Sequence, residues 1–282
     1  MISVTGEAIS IRDIDSIAEV HAVEELQREV WGIPDIEVVP LSQLVAAKAS
    51  GGVLLGAFDS GNLIGFAYGF VGYERGTTVH HSHMLAVKPA YRAHDLGFRL
   101  KAAQRERVLQ QGINVMTWTF DPLQSLNAHF NIAKLGAISD RYLINFYGDE
   151  AASFLHRNGT DRLWVSWLLT SPRVVERLTK TPSATAGSGL PTLVKSDGGR
   201  PQLNAFEDAS SYDRFSIEIP ADINAIERNN VGLAFEWRKT TRQAFTDAMN
   251  SGFTVEDFFR AGHSDDEVGV YVLSRGQLLA NW

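Results

Sequence analysis

The sequence predicts an α/β protein of the α+β kind, with strands and helices interleaved in a long first part and a smaller α+β segment after it. Three observations predict it. Apolar residues recur at helical spacing in some windows and as short β-branched or aromatic runs in others. A Ser/Thr/Gly/Pro-rich stretch over 180–201 separates the two parts. The 282 residues are 44% hydrophobic and 21% charged, the make-up of a globular chain with a real core.

Residues 8–12 (AISIR) read as a short strand. Residues 14–30 carry Ile14, Ile17, Val20, Val23, Leu26 and Val30 as one helical stripe. Pro34 and Pro40 bracket a loop, and 41–49 (LSQLVAAKA) is a second, short helix. The stretch 51–73 (GGVLLGAFDSGNLIGFAYGFVGY) reads as two strands joined by the turn Asp59-Ser60-Gly61-Asn62. A third strand runs over about 78–87. Residues 96–111 form a helix stopped by Gly112. NVMTWTF is a strand, 124–135 a helix, 137–147 a strand, and RLWVSWLL a further strand. The order is β-α-α-β-β-β-α-β-α-β-β.

The Ser/Thr/Gly/Pro-rich stretch is expected as a loop, giving a first domain over 1–178, a linker over 179–201 and a last segment over 202–282. In that segment RFSIEIP and EVGVYVLSR read as strands. Residues 229–250 read as a helix with Leu233, Trp237, Ala244 and Ala248 on one face. About 80 residues lies near the lower limit for independent folding. The segment is therefore expected to pack on the first domain or on a partner subunit.

The bulk numbers exclude several classes. A net charge of −7 and a pI of about 5.6 leave no basic field for nucleic acid. The absence of cysteine excludes disulfides, thiolate nucleophiles and cysteine–zinc sites. Charges interrupt every apolar run of MISVTGEAISIRDID, so it does not read as a signal peptide. No run has the length of a membrane span. The expectation is a cytoplasmic protein with no membrane partner.

The stretch 81–101 (HSHMLAVKPAYRAHDLGFRLK) has a strand-like run, a proline, a basic turn, one glycine and an amphipathic helix. This is the outline of a strand that delivers an anion to a helix N-terminus, where unpaired N–H donors and the helix dipole converge. Glycines let the backbone come close to such an anion. Arg92, His94 and Arg99 add positive charge. Asp95 has two readings. It can cap the helix and occupy the N–H groups, or point outward and leave them to the anion. In the second case its carboxylate costs about 1 kcal/mol beside a phosphate at surface dielectric.

With VKPAYRAHDLGFRLK at its centre, the strand–helix order resembles the GNAT superfamily of acyl-CoA-dependent N-acyltransferases. Val87, Pro89, Tyr91, Arg92 and Gly97 stand in the places of its motif, while Ala93 and Asp95 replace the motif's first two glycines. SLNAHFNIAKLGA resembles its second motif, with Ala128, Lys134 and Gly136 in register. The resemblance covers about residues 8–170. The whole chain is similar to a subgroup of long bacterial members with TFDPLQ, NAHFN and KLGA, some of which accompany N-acylamino-acid racemases.

The resemblance implies a mixed, mostly antiparallel central sheet flanked by helices. It implies acyl-CoA, acetyl-CoA or succinyl-CoA, as co-substrate and a small amine or amino acid as acceptor; the last segment can either close the acceptor pocket or build a homodimer. The carrier would be held by Leu85, Val87, Arg92, Ala93, His94, Asp95, Leu96, Gly97 and Phe98, with Asn127 and Asn131 reaching its pantetheine arm. Those two amides, four residues apart, share a helical face and also read as plain surface groups.

Acyl transfer to an amine needs a base or relay for the proton, a polarised thioester carbonyl and a stabilised thiolate. Backbone N–H groups near Leu85 to Val87 would polarise the carbonyl. Strand alternation places His81, His83, Leu85 and Val87 on one face and His80 on the other. Some family members carry a carboxylate base six residues before the Val87 position, where this chain has His81. His81 and His83 are candidate catalytic residues, since an imidazole titrates near neutrality; both also read as structural. The pair can share a metal, but no third ligand is evident, so no metal is expected.

The family's usual tyrosine acid falls at Ile132, which cannot donate, and its common asparagine at Ser125. Water can protonate a thiolate of pKa about 8.5 instead. Asp121 is a further catalytic candidate, as base or amine anchor, and also reads as a turn residue before Pro122. Glu74 and Arg75 end a strand on the acceptor side. An amino-acid acceptor needs an arginine fork, for which Arg141, Arg157, Arg162, Arg238 and Arg242 are candidates that also read as surface charges. Trp164, Trp167 and Trp237 are expected in the core. The other functional readings are a GNAT-fold module that binds or senses acyl-CoA without chemistry, and a scaffold or oligomerisation protein with no CoA site, in which Asp95 is only a cap.

Overall fold

Leu54, Leu55, Phe66 and Tyr68, from the apolar runs of one hairpin, form the buried centre of the first unit. They are seen in a computed structural model that describes residues 9–148, 158–179, 189–262 and 267–275. Two units are distinct, one up to Trp118 and the other from Thr119 on.

The first unit runs β1 (Ser10–Asp13), α1 (Ile17–Trp31), α2 (Leu41–Ala49), β2 (Val53–Asp59), β3 (Asn62–Glu74), β4 (Thr77–Val87), α3 (Leu96–Gln110) and β5 (Val115–Phe120). This is the order expected from the sequence. The strands lie β1-β2-β3-β4-β5. All neighbours are antiparallel except β4 and β5, which are parallel. The β2–β3 turn holds Ser60 at φ 49° and Gly61 at φ 80°, both left-handed as a tight hairpin requires.

α1 and α2 cover one sheet face. Val20, Val23, Leu26 and Leu44 close over Leu54, Phe66 and Tyr68, each worth about 1.5–3 kcal/mol for a fully buried aliphatic or aromatic side chain. α1 starts at a reciprocal cap. Glu19 N donates to Ser16 Oγ at 3.2 Å, and Ser16 N donates to the Glu19 carboxylate at 3.3 Å. The hydrogen bond from Arg12 is the first cause that holds Glu19 down to about 2. The helix stops at Gly32, which takes a left-handed φ of 60°. α3 covers the other face with Leu96, Leu100 and Val108.

One register event corrects the expected side-chain phase of β4. Tyr68 pairs with Met84 and Gly69 with Ser82, so His83 is an extra residue. This is a β-bulge, and past it the alternation inverts. His81 and His83 sit with Phe70 and Tyr68, on the α1–α2 face that Met84 and Ala86 also join. Leu85 and Val87 turn to the opposite face. The four residues thus do not share a face.

Gly69 makes the bulge possible. A Cβ there would collide with His80 Nε2 and come within 2.6 Å of the His81 carbonyl oxygen. Gly69→Ala is expected to destabilise the protein by about 1–3 kcal/mol, the range for overpacking. A urea midpoint equal to that of the wild type would contradict this account of the bulge.

The second unit contains α4 (Ser125–Ala128), which continues as a π-helix over His129–Lys134. Then come β6 (Ile138–Leu143), β7 (Arg162–Leu168), α5 (Pro172–Thr179), β8 (Thr192–Asp197), β9 (Arg200–Leu203) and α6 (Phe206–Ser210). β10 (Arg214–Pro220), α7 (Ile223–Asn229), α8 (Val231–Asn250), β11 (Phe253–Ala261) and β12 (Val268–Arg275) complete it. Its strands lie β7-β6-β11-β12-β10-β8-β9.

The expected strands over 214–220 and about 267–275 and the long helix are present. The stretch expected as a loop over 179–201 contains β8, because Thr192, Leu193 and Val194 are strand formers that pair with β9 and β10; residues 180–188 lie outside the described residues. Trp167 and Trp237 are fully buried as expected, and Trp164 is half-buried. α8 buries Ala234, Trp237, Thr241, Ala244, Phe245 and Ala248, and Arg238 among them. No helix among the described residues is long and apolar enough to cross a membrane.

Candidate active site

β4 and β5 pair at His80↔Met116 and His81↔Thr117, where their pairing stops, while β4 stays paired with β3 through Val87. The two strands therefore fork after His81. Lys88 N donates to Ile64 O at 2.9 Å, which fixes the direction of the backbone groups. Alternation sends the N–H groups of Ala86 and Lys88 toward β3 and those of Leu85 and Val87 toward the edge beyond the fork. A ligand with its own carbonyl and amide groups can lie along that edge as a strand would.

Past Val87 the chain turns through a 3₁₀ segment, Pro89–His94, into α3. Ala93 contributes its main chain to this turn. Tyr91 Oη donates to Asp59 Oδ2 at 2.7 Å and so fastens the turn to the β2–β3 hairpin. Asp95 joins the turn to the helix with φ 55° and ψ 22° and makes no side-chain cap bond. The capping reading of Asp95 therefore fails. The residue occupies a left-handed backbone that glycine adopts at no cost and that Asp or Asn tolerate.

The first-turn N–H groups of α3 point back at this turn. Leu96 is buried, Gly97 and Phe98 are half-buried, and Arg92 and His94 are exposed. Arg92 Nε lies 3.4 Å from the Val87 carbonyl oxygen, at the end of the forked edge. Arg99 Nη2 donates to Ile9 O at 2.7 Å, so its guanidinium serves β1's lead-in segment.

At the apex of the fork, His81 Nδ1 lies 3.0 Å from Thr117 Oγ1, its partner across the strands. Burial, then the neighbouring His83 and Lys101 charges, lower its pKa to about 4, so the ring is neutral at pH 7. His83 presents an exposed ring with one side against Tyr68 and Phe70; protein on that side keeps its pKa below the usual value. His80, expected on the opposite side, is fully buried and held at about 3 by burial.

In the second unit, Asp121 Oδ2 accepts from Arg238 Nη2 at 2.6 Å and Oδ1 accepts from Leu123 N at 2.9 Å. Both oxygens are engaged, which is the geometry of an anchor and a turn rather than of a base. Asn127 is exposed and Asn131 buried. The helix widens to π geometry from His129, and only Asn127 of the two amides is open to a ligand in solvent. Ile132 is fully buried and Ser125 nearly so.

Arg238 and Arg162 are buried rather than surface charges. Arg242 is fixed on Asp161 by two bonds of 2.8 and 2.9 Å, and Arg141 stacks over Trp164. Arg157 lies outside the described residues. Glu74 and Arg75 form a loose pair at 3.8 Å. Among the described residues no three His, Asp or Glu side chains are grouped as metal ligands.

Residues 17–136 match the family model described as "Acetyltransferase (GNAT) family". This part of the chain is similar to the GNAT acetyltransferase family. The GNAT match runs from the start of α1 through the fork and the turn at Asp95 to Gly136. Among solved structures, the chain is similar to aminoglycoside 6′-acetyltransferase type Ii, at 19% identity and TM-score 0.47, over 57% of this chain and 98% of that one. It is similar to the ribosomal-protein-S18-alanine N-acetyltransferase from Escherichia coli, at 13% identity and TM-score 0.47, over 58% and 96%. PaiA N-acetyltransferase from Thermoplasma acidophilum, solved with coenzyme A, is 18% identical with TM-score 0.41, over 57% and 98%. No curated protein matches the chain.

The sequence reading missed Thr117, Ser82, Lys101 and Gln104 at the GNAT fork. Gln104 carried a signal, since it recurs between Leu100 and Val108 on the core-facing stripe of α3. Gly69 carried another, as a glycine inside a strand pattern.

Proposed function

We propose that this GNAT domain transfers an acetyl or succinyl group from acyl-CoA to the amino group of a small amine or amino acid. The observation that carries the reading is the forked edge of β4, running straight into a left-handed turn at a helix N-terminus. Leu85 and Val87 present N–H groups to a thioester carbonyl on that edge. The start of α3, with Arg92, takes the pyrophosphate. Asp95 fits this role because its backbone holds the left-handed conformation that glycine adopts most readily. His81 takes the proton released as the amine nitrogen bonds to the carbonyl carbon and the C–S bond breaks. Water protonates the departing thiolate, since Ile132 offers no donor. That same absence favours the second reading, an acyl-CoA-binding module without turnover.

Calorimetric titration of CoA into the wild type and Asp95→Gly tests the carrier site. Saturable binding is expected, tighter in Asp95→Gly by about fivefold, the equivalent of about 1 kcal/mol from one removed carboxylate. Absence of saturable binding in both proteins would overturn the reading.

A further inference from the structure

Beyond the last β4–β5 pair, the next residues on the two strands are Ser82 and Trp118. One side chain from α3 reaches both. Lys101 Nζ donates to Ser82 Oγ at 2.7 Å and lies 3.7 Å from the centroid of the Trp118 ring. Ser82 Oγ donates onward to Gln104 Oε1 at 2.8 Å, and Gln104 Nε2 lies 3.3 Å from His80 Nε2. Lys101 is only 3% exposed. A buried ammonium that faces no carboxylate among the described residues is costly to the fold, and an aliphatic side chain would fill the same place at less cost.

We propose that Lys101 is a positioning wedge, bridging β4 to β5 where their pairing stops and so holding the fork open for an extended thioester carrier. The inference rests on the acyl-CoA reading above. Ser82 immediately precedes the His83 bulge, so the bridge also fixes the strand at the point where its phase inverts. Lys101 sits on the α3 face of the apex, opposite His81.

The protonated amine makes both contacts, the hydrogen bond and the cation–π contact, and it also attracts an anionic carrier. Burial lowers its pKa to about 7. The titratable groups facing it are His80 and His81 on β4, held at about 3 and about 4; Trp118 on β5 and Gln104 on α3 do not titrate. Carrier binding therefore draws a proton onto Lys101, and affinity falls as the pH rises through about 7.

The test is calorimetry with acetyl-CoA between pH 6 and 8, on wild type, Lys101→Met and Ser82→Ala, with thermal unfolding of each. Lys101→Met is expected to bind about tenfold more weakly at pH 6, with the gap to wild type closing toward pH 8. It is expected to unfold at no lower temperature than wild type. The wild type should also gain stability as pH rises from about 7 toward 10.5, because the unfolded lysine keeps a proton that the folded one has released; Lys101→Met should lack that gain. Ser82→Ala should weaken binding severalfold.

Affinity of Lys101→Met within twofold of wild type at both pH values overturns the wedge. If that variant does not fold, unchanged affinity in Ser82→Ala overturns it alone. A wild type that does not bind acetyl-CoA overturns the carrier reading itself, a result distinct from wild-type binding with indifferent variants.

Discussion

Replacing His81 by alanine is expected to slow acyl transfer by about 10²–10⁴-fold, the range for a positioned general base, with acetyl-CoA affinity held within severalfold. His81 is the last β4 residue to pair with β5, and its ring is fixed by Thr117 at 3.0 Å. Its pKa of about 4 keeps it neutral and able to accept a proton at physiological pH. The N–H it would deprotonate belongs to the tetrahedral adduct, which is more acidic than a free ammonium, so a weak base is matched to the task. The pH–rate profile carries a distinct signature. The dependence on neutral His81 is complete above about pH 5 and is lost as pH falls through about 4, with no limb near the ordinary imidazole value of about 6.5. A wild-type limb near that ordinary value, absent in His81→Ala, would show a base in a wetter site than this one.

Asp161→Ala is expected to destabilise the second unit by about 3–5 kcal/mol, the range for breaking a buried ion pair from one side. Asp161 is fully buried. It accepts from Tyr142 Oη at 2.6 Å, from Asn145 N at 3.0 Å and from Arg242 at 2.8 and 2.9 Å. Alanine leaves the Arg242 guanidinium and the buried phenol without this acceptor. Burial pushes the Asp161 carboxyl up, but the bonds from Arg242, Tyr142 and Asn145 outweigh it and leave the pKa below its ordinary value. Its contribution is therefore present above the unfolded carboxyl's pKa and is lost as pH falls through the lower folded value. Urea denaturation of the full chain at pH 7 reads the effect, and an unchanged midpoint would contradict it.

Much of the first unit was legible because its signals are local. The Val20–Val23–Leu26 stripe, the Ser60-Gly61 turn and the glycine after α3 each act within a few residues. The turn from β4 into α3 was legible for the same reason, since Pro89, Arg92 and Gly97 lie close together in the chain. What escaped depends on partners far away in sequence. The His83 bulge is set by Gly69 on another strand, so counting by twos along β4 gave the wrong faces for Leu85 and Val87. The role of Lys101 depends on Ser82 and Trp118, which converge only when α3 covers the fork. Arg238 occupies an apolar helix face because Asp121 meets it there at 2.6 Å. The π turn at His129 leaves no mark in residue spacing. β8 hid behind a glycine- and proline-rich lead-in, and the aromatic and β-branched content of β11 is broken by Glu256 and Asp257.

The most direct test of acyl transfer at the forked β4 edge is free-thiol release from acetyl-CoA and succinyl-CoA, run against simple amines and L- and D-amino acids. The account predicts amine-dependent thiol release with at least one acceptor, and its loss in His81→Ala while that variant still binds acetyl-CoA. A folded wild type that binds acetyl-CoA and releases no thiol with any acceptor would contradict it, leaving a GNAT domain that holds the carrier without reacting it.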